Sequence, residues 1–204
     1  MRRVTGGAKV GHAGTLDPLA TGVLVLCLGK ATKAIDRIMG TEKAYDTTID
    51  LSAFSTTDDL EGDRTPIDVP TPPTRTTIET TLVEHFTGAI RQTPPAFSAV
   101  KVGGRRAYDL ARKGHTPEIQ PKTVHIHDIT IRGYDWPSLT LAITCGKGTY
   151  IRSIARDLGT TLSTGGMLTR LVRTRVGDYT LDAATPLDDL PTEVTTDDLL
   201  PIPG

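Results

Sequence analysis

Asp17 is an acid held in a glycine-bracketed turn, Gly11-His12-Ala13-Gly14-Thr15-Leu16-Asp17-Pro18-Leu19-Ala20-Thr21-Gly22-Val23-Leu24. Pro18 fixes its own φ and pushes Asp17 towards an extended backbone, while Gly11, Gly14 and Gly22 allow positive φ or close backbone approach. An acid on a stiff loop just ahead of a buried strand, which the apolar run 23–28 predicts, is well placed to aim a carboxylate. The same residues also suit an Asp-Pro turn that serves only itself. Far along the chain, Arg152 and Arg156 sit one turn apart on a second segment that could carry chemistry. Tyr45 and Tyr150 are open to two readings, core aromatics or rings that stack on a flat substrate.

The elements around these residues follow from periodicity. Ile151, Ile154, Ala155, Leu158 and Leu162 form one apolar stripe of a helix opened by Gly146-Lys147-Gly148-Thr149-Tyr150, with Arg152 and Arg156 off that stripe. The alternation over 44–51 predicts a strand with Tyr45, Thr47, Ile49 and Leu51 on one side. Alternation over 124–131 and 139–145, with Trp136-Pro137-Ser138 between, predicts an antiparallel pair. Helical spacing predicts short helices over 31–39 and 76–86. The Asp-, Thr-, Pro- and Gly-rich segment 55–73 reads as loop, and 92–121 as the least regular part. Gly29-Lys30-Ala31-Thr32 fails as a phosphate loop, because Leu24 stands where the first glycine belongs. His125 and His127 share a strand face with no third ligand in view, so they read as solvent-facing or hydrogen-bonded rather than metal-binding.

The 204 residues carry a formal charge of −1, so the total attracts no polyanion. The distribution is more telling. Residues 101–122 hold six basic side chains against two acids, 147–175 hold six against one, and the segment from Asp182 onward has six acids and no Lys or Arg. A basic face of this kind suits a phosphate-rich partner. Cys27 and Cys145 lie in apolar runs and read as buried thiols of a reducing compartment. No apolar run is long enough to span a membrane, and the cytoplasm is the expected location.

The stretch around Asp17 resembles the signature G-H-x-G-x-L-D-P-x-A-T-G-x-L of the TruB family of tRNA pseudouridine synthases, with every fixed position present. The resemblance runs from about Gly11 to about Tyr179. Lys43-x-Tyr45 resembles the family's second motif, and Lys147-Gly148-Thr149-Tyr150-Ile151-Arg152 the third. The segment with Asp59 and Gly62 is similar to L-G-x-x-T-x-T-x-D-x-x-G, with Ser52 and Ser55 as departures. Ser98 to Tyr108 is similar to S-A-x-K-x-x-G-x-x-x-Y, near the family's RNA-gripping thumb loop. Residues 166–177 resemble G-H-x-x-x-L-R-R-x-x-x-G, with Met167 and Val172 replacing the usual histidine and arginine; a phosphate contact is expected to be lost there.

This resemblance implies an α+β pseudouridine synthase fold: a mixed, mainly antiparallel sheet flanked by helices, with a thumb loop. It implies a catalytic domain over 1–181 and an acidic tail over 182–204. The implied activity is isomerisation of uridine to pseudouridine in tRNA, at position 55 of the T arm. The ring leaves ribose through N1 and returns through C5, so no cofactor and no metal are expected. A carboxylate, a proton acceptor and a pocket for an extruded base are required. Asp17, Tyr45 and Arg152 are the expected catalytic residues, with Arg152 pairing bidentately with Asp17. His12, Tyr150, Leu171, Lys101, Arg105, Arg106 and Arg173 are expected to bind substrate. The partner is tRNA, and the protein is expected to act as a monomer. Two other classes stay open: a tRNA-binding or tRNA-folding protein with impaired catalysis, and a guide-RNA-dependent synthase. Family members also begin with an apolar strand and a Lys-Pro loop not found here, and carry a further small RNA-binding domain for which 186–204 is too short. The run 23–28 is therefore expected to keep an uncovered face or an unpaired edge.

Overall fold

The computed structural model describes residues 1–112, 114 and 118–201. Its centre is a seven-stranded sheet. Strands β4 (Lys43–Asp50), β10 (Lys122–Asp135), β11 (Ser138–Cys145) and β12 (Met167–Val176) form the middle, in the order β12-β4-β11-β10, every pair antiparallel. β7 (Gly88–Gln92) extends the β10 edge. At the other edge, β2 (Ala20–Gly22) runs parallel to β12, and β13 (Tyr179–Thr180) runs antiparallel to it. The chain is thus α+β with a mixed, mainly antiparallel sheet.

Alternation explains the strands. In β11, Leu139, Leu141, Ile143 and Cys145 are buried and the residues between them are not. That face packs under α4 (Ile151–Leu162) and α2 (Arg75–His85), where Ile154, Ala155, Leu158, Ile78 and Leu82 complete the main core. α2 is capped by Thr74, whose hydroxyl accepts from the Thr77 N–H. α4 ends at Leu162, with Ser163 in the left-handed region at φ 56°. Gly165 and Gly166 do not stop this helix; they let β12 return against it. A Cβ on Gly166 would lie 2.0 Å from the Ala155 carbonyl oxygen, and one on Gly165 would lie 2.1 Å from the Ala53 nitrogen.

The run 23–28 is not one buried strand. Gly22 turns the chain at φ 97°, and a Cβ there would meet the Arg173 carbonyl oxygen at 2.2 Å. Only β3 (Leu26–Leu28) is strand, paired antiparallel with β1 (Val10–His12) in a separate ribbon. Val23 and Cys27 point into a second core with Ala13, Ala34, Ile38 and Val176, while Leu24 and Leu26 stand 42% and 37% exposed. The helix expected over 31–39 begins as a 3₁₀ turn, Gly29–Ala34, and continues as α1 (Ile35–Gly40). At the start of the loop expected over 55–73, β5 (Ala53–Ser55) enters a small hairpin with β6 (Arg64–Pro66).

Residues 101–106 are more ordered than a solvated loop. β8 (Lys101–Val102) and β9 (Arg105–Arg106) pair across Gly103 and Gly104, both at positive φ, and lead into α3 (Ala107–Ala111). Lys113, counted in the first basic stretch, lies outside the described residues. In the acidic segment, the Val194 N–H donates to the Val4 carbonyl at 2.7 Å, and Leu187 is 81% exposed. Among the described residues no helix is long and apolar enough to cross a membrane.

Candidate active site

The loop carrying Asp17 is sewn to the sheet by an arginine expected to bind substrate. Arg173 is only 2% exposed. Its Nε donates to the Val23 carbonyl at 2.7 Å, Nη1 to Thr15 at 3.3 Å and Nη2 to Gly14 at 3.1 Å. The Val23 N–H returns a bond to the Arg173 carbonyl at 2.8 Å. A guanidinium spread over three carbonyls satisfies backbone groups that a tight loop cannot pair within itself. Arg173 therefore holds the Asp17 loop from a buried position, and its guanidinium also bonds the Tyr45 hydroxyl.

Asp17 emerges from that loop with its side chain one third exposed, and Arg152 meets it. Arg152 Nε donates to Asp17 Oδ2 at 2.9 Å. The contact is not the bidentate fork expected. Nη1 instead donates to the Thr57 carbonyl at 3.1 Å and faces Asp59 Oδ2 at 3.4 Å, and Nη2 donates to the Phe97 carbonyl at 3.0 Å. Arg152 thus ties three separate segments to the first turn of α4. Among the described residues, no hydrogen bond reaches Asp17 Oδ1, so one carboxylate oxygen is left without a protein partner there.

Tyr45 lies in β4 between Ile143 and Arg173, its ring against the main core. Burial pushes its hydroxyl up to about 12, with the Arg173 guanidinium pulling the other way. The phenol therefore stays protonated through the neutral range. Because this folded value lies above the ordinary 10.0, the stability linked to the group is present below pH 10 and lost as pH rises towards 12. The difference ultraviolet titration between the parent and Tyr45→Phe is expected to show one phenol ionising near pH 12. A missing component that ionises near pH 10 would contradict this placement.

Tyr150 precedes α4, and Gln92 at the end of β7 grips its backbone from both sides. The Tyr150 N–H donates to Gln92 Oε1 at 2.8 Å, and Gln92 Nε2 donates to the Tyr150 carbonyl at 3.0 Å. Lys122 Nζ stands 4.7 Å over the Tyr150 ring. Leu171 is 6% exposed, in the core beside Ala20. His12 is exposed at the end of β1. Lys101, Arg105 and Arg106 are exposed on the β8–β9 hairpin, with Tyr108 and Arg112 lining the same open concavity. That hairpin is rooted at 97–98, where Arg152 holds the Phe97 carbonyl and the Tyr108 N–H donates to Ser98.

The second basic stretch does not form the expected phosphate face. Arg156 pairs with Asp58 and Asp157, Arg175 with Glu42, and Arg152 and Arg173 are occupied as described. Only Lys147 and Arg170 of that stretch are exposed. Asp59, fully buried against Arg152, Gln92 and the Arg173 loop contacts were not assigned from sequence; the retained Asp59 of the 52–62 segment was the one available signal. His125 and His127 are exposed with ring centroids 4.7 Å apart, and among the described residues no group of three His, Cys, Asp or Glu could hold a metal ion.

Residues 2–151 match the family described as TruB family pseudouridylate synthase (N terminal domain). The chain belongs to the TruB family. It is 47% identical over 210 residues to the tRNA pseudouridine synthase B of Thermobifida fusca, covering 96% of this chain and 69% of that protein. It is 51% identical over 177 residues to the protein of that name from Bacteroides fragilis, covering 85% of this chain and 74% of the relative. Among solved structures it is similar to a Cbf5-Nop10-Gar1 complex, with a TM-score of 0.62 and 29% identity over 84% of this chain. It spans 41% of that structure's matched chain. The TruB signature, 11–24, runs from within β1 through β2 to the turn after it, with Asp17 on the loop between the two strands, and the motif 147–152 falls where α4 begins.

Proposed function

We propose that this TruB-family chain isomerises uridine to pseudouridine in tRNA, at position 55 of the T arm, by a cofactor-free route on an extruded base. The observation that carries the reading is the Asp17–Arg152 contact. It joins two family motifs 135 positions apart and, among the described residues, leaves the other carboxylate oxygen unbonded. The reaction breaks the N1–C1′ bond, forms the C5–C1′ bond, releases the C5 hydrogen as a proton and returns a proton to N1. Asp17 supplies the carboxylate for it. Tyr45 supplies a ring for stacking and a neutral hydroxyl, so proton acceptance falls to a carboxylate rather than to this phenol.

The protein acts in the cytoplasm as a monomer on tRNA. Identities of 47% and 51% to proteins named tRNA pseudouridine synthase B, against 29% to a chain of a Cbf5-Nop10-Gar1 complex, favour this over the guide-RNA branch. Mapping pseudouridine in a treated tRNA transcript is expected to find it at position 55 alone. A transcript with cytidine there is expected to gain none; modification elsewhere would overturn the position.

Arg105 and Arg106 are exposed on the hairpin, with no ion pair or hydrogen-bond partner among the described residues. Changing both to glutamine is expected to reduce the slope of log affinity against log salt by about 1.4–1.8, two phosphate contacts' worth. An unchanged slope would make them a solvated face.

A further inference from the structure

α4 carries a second guanidinium, one turn beyond Arg152, that bridges the same two segments. Arg156 Nη1 meets Asp58 Oδ2 at 2.9 Å, and Nη2 donates to the Thr93 carbonyl at 2.8 Å. Its Nε donates to Asp157, the next residue of the helix. Arg152 reaches Thr57 and Asp59 on one side and Phe97 on the other. The inner arginine thus takes the residues on either side of Asp58, and the outer one takes Asp58 itself.

Asp58 is built into this arrangement at a conformational cost. Its φ is 63°, a left-handed backbone uncommon for a residue other than glycine. That turn lets three consecutive residues present groups to two arginines: the Thr57 carbonyl, the Asp58 carboxylate and the Asp59 carboxylate. The Asp58 carbonyl also accepts from the Leu168 N–H at 3.0 Å, pinning the turn to β12. The Asp58 side chain is only 12% exposed and that of Arg156 26%. A pair this sheltered is screened less than a surface salt bridge.

We infer that Arg156 and Asp58 are positioning residues for the isomerisation: their ion pair sets the 57–59 turn against Arg152, and through Arg152 the aim of Asp17. The inference rests on the function proposed above. Among the described residues neither side chain hydrogen-bonds or pairs with Asp17, so the pair acts through the turn and through Arg152. Without it, Thr57 and Asp59 keep their chemistry but lose their fixed distance from Arg152, and small displacements at a reacting group are costly.

The test compares Asp58→Asn, Arg156→Gln and the double variant in the full chain, with Arg64→Gln, which breaks the Asp50 pair at the β5–β6 hairpin, as control. The single-turnover rate of tritium release from C5-labelled tRNA is expected to fall about tenfold in each single variant, with tRNA affinity unchanged. The double variant is expected to be no slower than the singles, because both remove one interaction. Arg156→Lys is expected to recover part of the rate, and Arg64→Gln to match the parent. Rates equal to the parent's in Asp58→Asn and Arg156→Gln, or losses that multiply in the double variant, would overturn the inference. An independent arm follows the Arg152 Nε–H by nitrogen-15 NMR: its hydrogen exchange is expected to quicken in Asp58→Asn, and unchanged exchange would overturn the positioning role. A parent that releases no tritium would count against the proposed function, while the Arg152 signal still decides the positioning.

Discussion

Asp17→Asn is expected to fold, to bind tRNA and to lose turnover by about a thousandfold or more, the scale on which removing a single reacting group acts. The substitution keeps the size of the side chain, and the loop does not depend on it. Gly14, Thr15 and Val23 are held through their carbonyls by Arg173, and the Ala20 N–H bonds the Asp17 backbone at 2.8 Å rather than its carboxylate. The amide can still meet Arg152 through its oxygen, but it cannot serve as the anionic group. Single-turnover kinetics beside a tRNA binding isotherm check this. Turnover within about tenfold of the parent, with normal binding, would remove Asp17 from the chemistry.

Arg152→Ala is expected to cost both stability and activity. The side chain is 6% exposed and faces Asp17 and Asp59, the latter with no exposure at all. Removing one member of a buried charge network leaves the other uncompensated, typically at about 3–5 kcal/mol. For a chain of this length that corresponds to a fall in Tm of roughly 6–20 °C. Asp59 Oδ2 has no hydrogen bond and relies on the guanidinium at 3.4 Å, so it bears most of that loss. Arg152→Lys is expected to recover only part. One ammonium cannot reach Asp17, the Thr57 carbonyl and the Phe97 carbonyl at once, as the planar fork does. Thermal melts and turnover of both variants decide it: Arg152→Lys equal to the parent in both would mean that the three-way tie is not needed.

Periodicity made the framework legible. The stripe Ile151, Ile154, Ala155 and Leu158 is the buried face of α4, and the alternation in 139–145 is that of β11. Both segments are long enough for burial to dominate every local preference. The edge of the sheet was less legible. A single positive-φ glycine, Gly22, ends a three-residue parallel strand just ahead of the apolar run 23–28, and the only strand inside that run, β3, pairs in a separate ribbon; the run's composition carries no sign of this. Charge counting misled for a related reason. Arginines in 147–175 look like a basic face until their partners are known, and those partners, Glu42, Asp58 and the 14–23 loop, come from distant parts of the chain.

The candidate site shows the same division. The Asp17 loop and the Arg152 helix start were readable as motifs, because each is local in sequence. How Arg152 divides its donors was not, because Thr57, Asp59 and Phe97 come from segments that only the fold brings to α4. The loop-holding contacts of Arg173 were not legible, because an arginine on a strand usually reaches solvent and here three carbonyls of the tight 14–23 loop take its guanidinium.

Tritium release from C5-labelled uridine in a tRNA transcript, with the purified chain and no added cofactor, decides whether this chain isomerises uridine. Each completed isomerisation replaces the C5–H bond with the C5–C1′ bond, so one tritium is expected per modified uridine, matched by one pseudouridine in the digested product. A transcript that is bound but yields neither tritium nor pseudouridine would contradict the account.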